Sequence, residues 1–319
     1  MLPAGSSSAC ADEPRGAAYA GSLGVLGVLN PIPYVFQTAL YTCLALLAFA
    51  ANSVLCRLAL TGGSIDPASF TLVRLASGAA SLALLVRGHG PRPELTAPRW
   101  TGGVLLFLYA APFSLAYRYL TAATGALLLF AAVQATILVA SFRAGHRPSV
   151  GQWIGLGLAF SGLVYLMAPG VTAPPAVGAA LMLLAGIAWG LYTVYGRSAR
   201  EPLVATATNF ARSLPLAVLV LPLLVPSRWP AASGLLLAAL SGAGASGLGY
   251  VAWYRALRGL ATLSAGVVQL AVPVLAGLGG MLVLHERITW RLAWATVLVV
   301  GGIGLALATV PRPRRPTTG

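Results

Sequence analysis

Three kinds of residue in this chain could do chemistry: arginines set inside apolar runs, a serine in a glycine-rich stretch, and aromatic and amide side chains recurring at helical spacing. Arg74 stands in "TLVRLASGAA" and Arg212 in "NFARSLPLAV", each flanked by apolar and small residues. A guanidinium near the centre of a membrane helix costs about 2.5 to 3.5 kcal/mol on insertion scales, so it should face water or a partner. Two roles are open to such an arginine: a ligand for a carboxylate or phosphate, or a brace on loop carbonyls or on Glu286 and Glu201. Ser246 lies in "SGAGASGLG", where G-A-S-G would suit the nucleophile of an intramembrane serine protease. That chemistry needs a histidine base within hydrogen-bond reach. His89, His146 and His285 all fall at the ends of apolar runs, whereas Ser246 is well inside one. Gly242, Gly244 and Gly247 spell G-x-G-x-x-G, but no strand precedes them and no acid follows at the spacing a dinucleotide site requires. "HERIT" lacks the second histidine of the zinc motif H-E-x-x-H, and Cys10, Cys43 and Cys56 have neither zinc nor disulfide spacing. Neither a metal, nor another cofactor, nor an enzymatic activity is expected.

The third group is more informative. Tyr109, Phe113 and Tyr117 recur at i, i+4 and i+8, and Ser246, Tyr250 and Tyr254 repeat that spacing later in the chain. Phe49, Asn52 and Ser53 are likewise echoed by Trp189, Tyr192 and Thr193. These intervals put each set on one helix face. Aromatic stripes serve packing in many helices. Here they contain hydrogen-bonding groups that lipid would penalise, which points to the lining of a cavity. Gln269 and Pro273 join this set, because a proline inside a helix frees a backbone carbonyl and permits bending.

The elements that must position these residues are membrane helices. The chain has 319 residues, 58% of them hydrophobic and only 8% charged, against about a quarter charged in soluble chains. Apolar runs of about 20 residues, enough to cross a hydrocarbon core of about 30 Å, occupy roughly 37–60, 67–87, 100–120, 123–143, 150–169, 175–197, 202–226, 231–257, 260–284 and 289–310. They lack the alternation of barrel strands and are read as helices. Residues 1–36 read as a disordered or interfacial extension, or as sequence upstream of the true start, and 311–319 as a cytoplasmic tail. The net charge of +14 is carried by arginines in the gaps between runs, where a topology signal belongs and a nucleic-acid surface does not. With the N-terminus inside, 13 arginines fall on the cytoplasmic side and 5, among them Arg57, on the other, so both termini are expected in the cytoplasm. The absence of lysine suggests a bacterial chain and hence the inner membrane.

The second half repeats the first. "YRYLTAATGALLLFAAVQ" from Tyr117 aligns with "YRALRGLATLSAGVVQLAVPV" from Tyr254, "GHRPS" with "HERIT", and "FTLVR" with "NFAR". Five helices per copy is an odd number, so the second copy must sit inverted in the bilayer. The expected fold is therefore an all-α membrane protein of ten transmembrane helices in two inverted five-helix repeats, 37–169 and 175–310.

The segments "FTLVRLASG", "ATLSAGVVQLAVPVLAGLGGMLVLHERIT" and "GGIGLAL" resemble EamA-type members of the drug/metabolite transporter superfamily, over roughly 37–310. The resemblance implies a central cavity lined mainly by helices 1, 3, 4, 6, 8 and 9. It also departs in the first half, where His146 stands for the glutamate matched by Glu286 and Val133 for the proline matched by Pro273, which weakens any strictly symmetric gating scheme. The expected substrate cavity comprises Asn52, Ser53, Tyr109, Tyr117, Trp189, Tyr192, Ser246, Tyr250, Tyr254 and Gln269, with Arg74, Arg212, Pro273 and Glu286 as gating or intramembrane-charge residues. No acid lies mid-helix, so a facilitator, an exchanger or coupling without a buried acid is expected. The leading reading is an exporter of amino acids or similar small metabolites working by alternating access. The alternatives are a non-transporting receptor or assembly factor and, last, the protease. The partners are a small-molecule substrate and the bilayer, with homodimerisation left open and nucleic acid excluded.

Overall fold

The computed structural model describes residues 34–87, 100–145, 147–170, 173–196, 199, 201–224, 229–260 and 262–309. Most of the expected N-terminal extension, the C-terminal tail, His89 and His146 lie outside these residues. The described residues fold into ten helices and contain no strand. They are α1 (Tyr34–Thr61), α2 (Pro67–Val86), α3 (Thr101–Ala116), α4 (Ala122–Arg143), α5 (Val150–Met167), α6 (Ala176–Gly196), α7 (Pro202–Leu224), α8 (Ala232–Leu257), α9 in two pieces (Thr262–Gln269 and Ala271–Leu284) and α10 (Trp290–Ala308). Nine of them are long and apolar enough to cross a membrane. The exception is α3, whose 16 residues span about 24 Å, with a turn over 117–120 completing the passage.

Short polar residues fix where the helices begin. Asp66, just before Pro67, accepts the N–H groups of Ala68 and Ser69 at 2.9 Å and starts α2. Ser149 and Gln152 form a reciprocal capping box at the head of α5, and Thr121 and Thr289 cap α4 and α10. α1 starts at Tyr34, so Tyr34, Val35 and Phe36 belong to it and not to the extension expected from the sequence.

The two bundles are interlocked. α1 packs on α8 and α9, and its counterpart α6 packs on α3 and α4 in the same relation. α2 pairs with α7 and α5 with α10, each helix lying against its own inverted copy. Small residues set how close these helices come. A Cβ on Gly155 of α5 would collide with the Gly302 carbonyl and lie 2.6 Å from the Ala306 nitrogen in α10. Gly186 and Gly190 hold α6 against Leu129, Ala132 and Thr136 of α4 in the same way. In lipid, where apolar surface gains nothing by leaving solvent, this close backbone approach is a main source of helix association.

Two helices depart from the uniform runs expected. Residues Leu240–Leu248 of α8 form a π-helical segment, "LSGAGASGL", whose glycines permit the wider coil. α9 breaks at Leu270 because Pro273 has no N–H for the Gln269 carbonyl and its ring crowds that oxygen.

Candidate solute cavity and its closing contacts

Between the bundles lies a cavity walled by six helices. α1 contributes Phe49, Asn52 and Ser53, α3 Tyr109 and Phe113, α4 Leu129 and Phe130, α6 Trp189 and Thr193, and α8 Ala245, Ser246, Tyr250 and Trp253. Gln269, at the α9 break, completes it. Seven of the ten expected lining residues are here: Asn52, Ser53, Tyr109, Trp189, Ser246, Tyr250 and Gln269. The enclosed volume is about 50 Å³, room for about three or four waters, against roughly 300 Å³ or more for small-molecule sites. The cavity described is therefore contracted. A larger crevice of about 230 Å³ opens between α4, α5 and α10, but its walls, such as Leu138, Phe160 and Ile303, are almost wholly apolar, and only Gln134 brings a polar side chain. The polar side chains gather at the central cavity.

Its wall is an aromatic cluster joined to a polar chain. Trp189 stacks on Tyr192 and on Tyr250, ring centres 5.3 Å away in each case, and meets Tyr109 at 4.8 Å. The Tyr109 hydroxyl accepts from Arg74 Nη2 at 2.9 Å and from Asn52 Nδ2 at 3.4 Å. Asn52 Oδ1 in turn accepts a hydrogen bond from the Ser241 hydroxyl. Arg74 is 2% exposed, with its guanidinium carbon 4.7 Å from the Phe113 ring centre and 5.1 Å from that of Tyr109. It thus sits behind two cavity walls, and its Nε and Nη1 have no hydrogen-bond partner. Ser246 Oγ, also buried and without a partner, is on the cavity.

The remaining expected residues are placed elsewhere. Tyr117 is fully buried, edge-on to Phe113, and covers Gly125 of α4, so it fills the α3–α4 contact. Tyr192 and Tyr254 turn toward α7, where their hydroxyls meet Asn209 at 3.3 Å and Thr206 at 2.9 Å. Tyr117 keeps the register of α3, its N–H on the Phe113 carbonyl at 3.3 Å and its ring against that of Phe113, so it continues the Tyr109–Phe113 stripe past the cavity into the contact with α4. Arg212, aligned with Arg74 by the repeat, is half-buried and packs along Gly103 of α3. Pro273 is buried but acts on the cavity through the chain break, leaving the Gln269 carbonyl without its helical partner.

Glu286 makes neither of the contacts considered for a bracing arginine at position 74 or 212. Its partner is Arg57, whose Nε donates to Oε1 at 3.2 Å and whose Nη1 donates to the carbonyls of Tyr117 at 2.7 Å and Arg118 at 3.3 Å. Glu286 Oε2 accepts the N–H of Ala122, the first residue of α4, at 2.9 Å. The end of α1, the turn after α3, the start of α4 and the α9–α10 connection are thereby tied at one face of the bundle. His285, at φ 54° in the left-handed region, makes this possible by closing α9 and sending the Glu286 N–H back to the Gly280 carbonyl. It serves as a helix terminus, and it does not line the cavity around Ser246.

From the sequence Arg57 is read only as a topology charge, and Ser241 is not singled out. The first is missed because its acceptors are a residue 229 positions away and two loop carbonyls. Ser241 is missed because residues five apart diverge on an α-helix, whereas π-helical hydrogen bonds run from i to i+5 and bring Ser241 toward the Ser246 face.

Two inverted five-helix bundles closing on a shared polar cavity define the class: a multi-pass membrane protein with the architecture of a carrier. A model of the EamA-like transporter family matches residues 20–168 and again 176–308, once per repeat, and the chain belongs to that family, within the drug/metabolite transporter superfamily. A Pseudomonas aeruginosa protein described as "Uncharacterized protein PA1977" is 51% identical over 274 residues, covering 85% of this chain and 95% of its own length. A solved structure titled "Crystal structure of protein" superposes with a TM-score of 0.59 at 24% identity, over 84% of this chain and 97% of that one, and shares the fold.

Proposed function

We propose that the chain is a carrier of the bacterial inner membrane that exports a small metabolite, an amino acid or a similar solute, by alternating access. The observation that carries this reading is the position of the cavity, between the inverted repeats and walled by helices of both. Rocking one bundle against the other would widen it toward one face and then the other. The Arg57–Glu286 contacts close one face, and the π-helical stretch of α8 and the break in α9 supply joints beside the cavity. The excess of arginines in one set of loops favours both termini inside, which would put Arg57 and Glu286 at the outer face, and a reporter fused after Gly319 would check it. Among the described residues no acid lines the cavity, which favours facilitation or exchange over proton coupling through a buried carboxylate.

The burial of Tyr109, Asn52 and Tyr192 inside the bundle supports a carrier over a non-transporting receptor or assembly factor, for which these faces would be turned to lipid. Counterflow in reconstituted vesicles, with a panel of labelled amino acids and nucleosides, tests the proposal. Trans-stimulated movement of at least one solute is expected. Movement of none, in either direction, would overturn it.

A further inference from the structure

The carrier reading leaves the chemical class of the solute open, and the charge beside the cavity narrows it. Arg74 carries a full positive charge with no carboxylate partner among the described residues. Of the acids described, Glu286 is held by Arg57 and the Ala122 N–H, and Glu201 is exposed at the start of α7. Asp66 caps α2 eight residues away, about 12 Å along the helix. Burying a guanidinium without a counter-charge is expensive, and two of its nitrogens still lack acceptors. Its link to the cavity is Tyr109, a residue of the wall whose hydroxyl it bonds. The other polar groups on the cavity, Asn52, Ser53, Thr193, Ser246 and Gln269, are neutral.

This arrangement selects by charge. Aromatic walls alone would welcome a cation, through the negative faces of their rings. Here the faces of Tyr109 and Phe113 are already turned to Arg74, and a solute whose only charge is positive would be repelled in a site screened from water. An anion would instead supply the missing acceptors and the missing charge together, through the strongest hydrogen bonds available to a guanidinium. We propose that the transported solute is a carboxylate with an apolar or aromatic body, its carboxylate taken by Arg74 and the Tyr109 hydroxyl and its body held among the Tyr109, Trp189 and Tyr250 rings. Docking requires the contracted cavity to widen, with Tyr109 shifting so that the carboxylate reaches Arg74. The assignment rests on the cavity being the transport site.

The test uses three probes that share one ring and differ in charge: 3-phenylpropionate, 3-phenylpropanol and 3-phenylpropylammonium. Each is titrated against the full-length protein in detergent, and the concentration giving a half-maximal rise in the unfolding midpoint is compared. The carboxylate is expected to act at a concentration about tenfold or more below the alcohol, with the ammonium weakest. Arg74→Gln should bring the carboxylate to the level of the alcohol and leave the alcohol where it was. Arg74→Lys should retain part of the gap, and Tyr109→Phe, which keeps every ring, should narrow it by about threefold. If the wild-type protein favours the alcohol or the ammonium, or responds to none of the three, the assignment is wrong. Equal weakening of carboxylate and alcohol by Arg74→Gln would make Arg74 a brace and overturn it as well. Should Arg74→Gln fail to fold, the wild-type series and Tyr109→Phe still decide. The two readings fail separately: solutes that move in counterflow while the ammonium leads leave the carrier standing without the anion site, whereas no counterflow at all removes the carrier.

Discussion

Replacing Glu286 by glutamine should loosen one face of the bundle. Glu286 makes two charge-assisted contacts, to Arg57 at 3.2 Å and to the Ala122 N–H at 2.9 Å, and it and Arg57 are 14% and 17% exposed. A hydrogen bond to a charged group contributes about 1.5 to 3 kcal/mol, and partial exposure pulls this pair toward the lower part of that range. The glutamine oxygen can still accept one of the two bonds, so the loss is about 2 kcal/mol. At 1.4 kcal/mol per factor of ten, this raises the ratio of open to closed states at that face about thirtyfold. The reporter is Ser53→Cys, on the cavity wall, in a chain whose Cys10, Cys43 and Cys56 are replaced by serine, serine and alanine. A membrane-impermeant thiol reagent is added on the side of Arg57, and the labelling rate follows the open fraction. Glu286→Gln should speed labelling about thirtyfold, while Arg287→Gln, at the exposed neighbouring position, should leave it unchanged. Labelling within twofold of the parent, or an equal rise in Arg287→Gln, would refute the idea that this ion pair holds the face closed.

Tyr254→Phe removes the 2.9 Å contact with Thr206 outside the cavity, so unfolding in detergent should shift by only about 0.6 kcal/mol and counterflow should be unchanged. A large transport defect in vesicles would return Tyr254 to the solute path. Gly155→Leu drives a side chain into the Gly302 carbonyl and the Ala306 backbone of α10 and should destabilise by about 1 to 3 kcal/mol, seen as a lower unfolding midpoint. Gly157→Leu, two residues along the same helix and facing open space, should have no such effect.

Much of this fold is written in the order of apolar runs. A run of twenty apolar residues admits few structures in lipid, and an odd number of runs per repeat forces inversion, so helix number and the relation of the two repeats follow from one string of letters. Which stripe faces inward was legible for Asn52, Tyr109, Trp189 and Tyr250, because hydrogen-bonding groups at helical spacing have a cost in lipid that only burial or a wet cavity removes. The logic failed where the helix was not uniform. The π-helical turns of α8 change which residues share a face, and spacing rules built on 3.6 residues per turn carry no warning of them. Arg57 was illegible for another reason: at the end of an apolar run a charge that marks topology and one that joins distant helices look alike.

The repeat is nearly symmetric in its backbone and asymmetric in its charges, and this bears on how such a carrier would cycle. Arg74 and Arg212 occupy equivalent places, yet one is buried behind the cavity wall and the other lies half-buried along Gly103, so the pair is asymmetric toward the cavity. The position equivalent to Glu286 is His146, and the one equivalent to Arg57 by the same alignment is Arg197, a combination that cannot form the same carboxylate–guanidinium pair. Among the described residues the pair on the Arg57 face has no counterpart of that kind, an asymmetry that would make the two closed states unequal in energy. With about 2 kcal/mol on the Arg57 side, the resting carrier would favour closure there, and a solute would have to supply the difference in binding energy before that face opened. Carboxylate binding at Arg74 is suited to that task, since the charge it neutralises lies on α2, which packs against α8 at the π-helical segment where the wall can give.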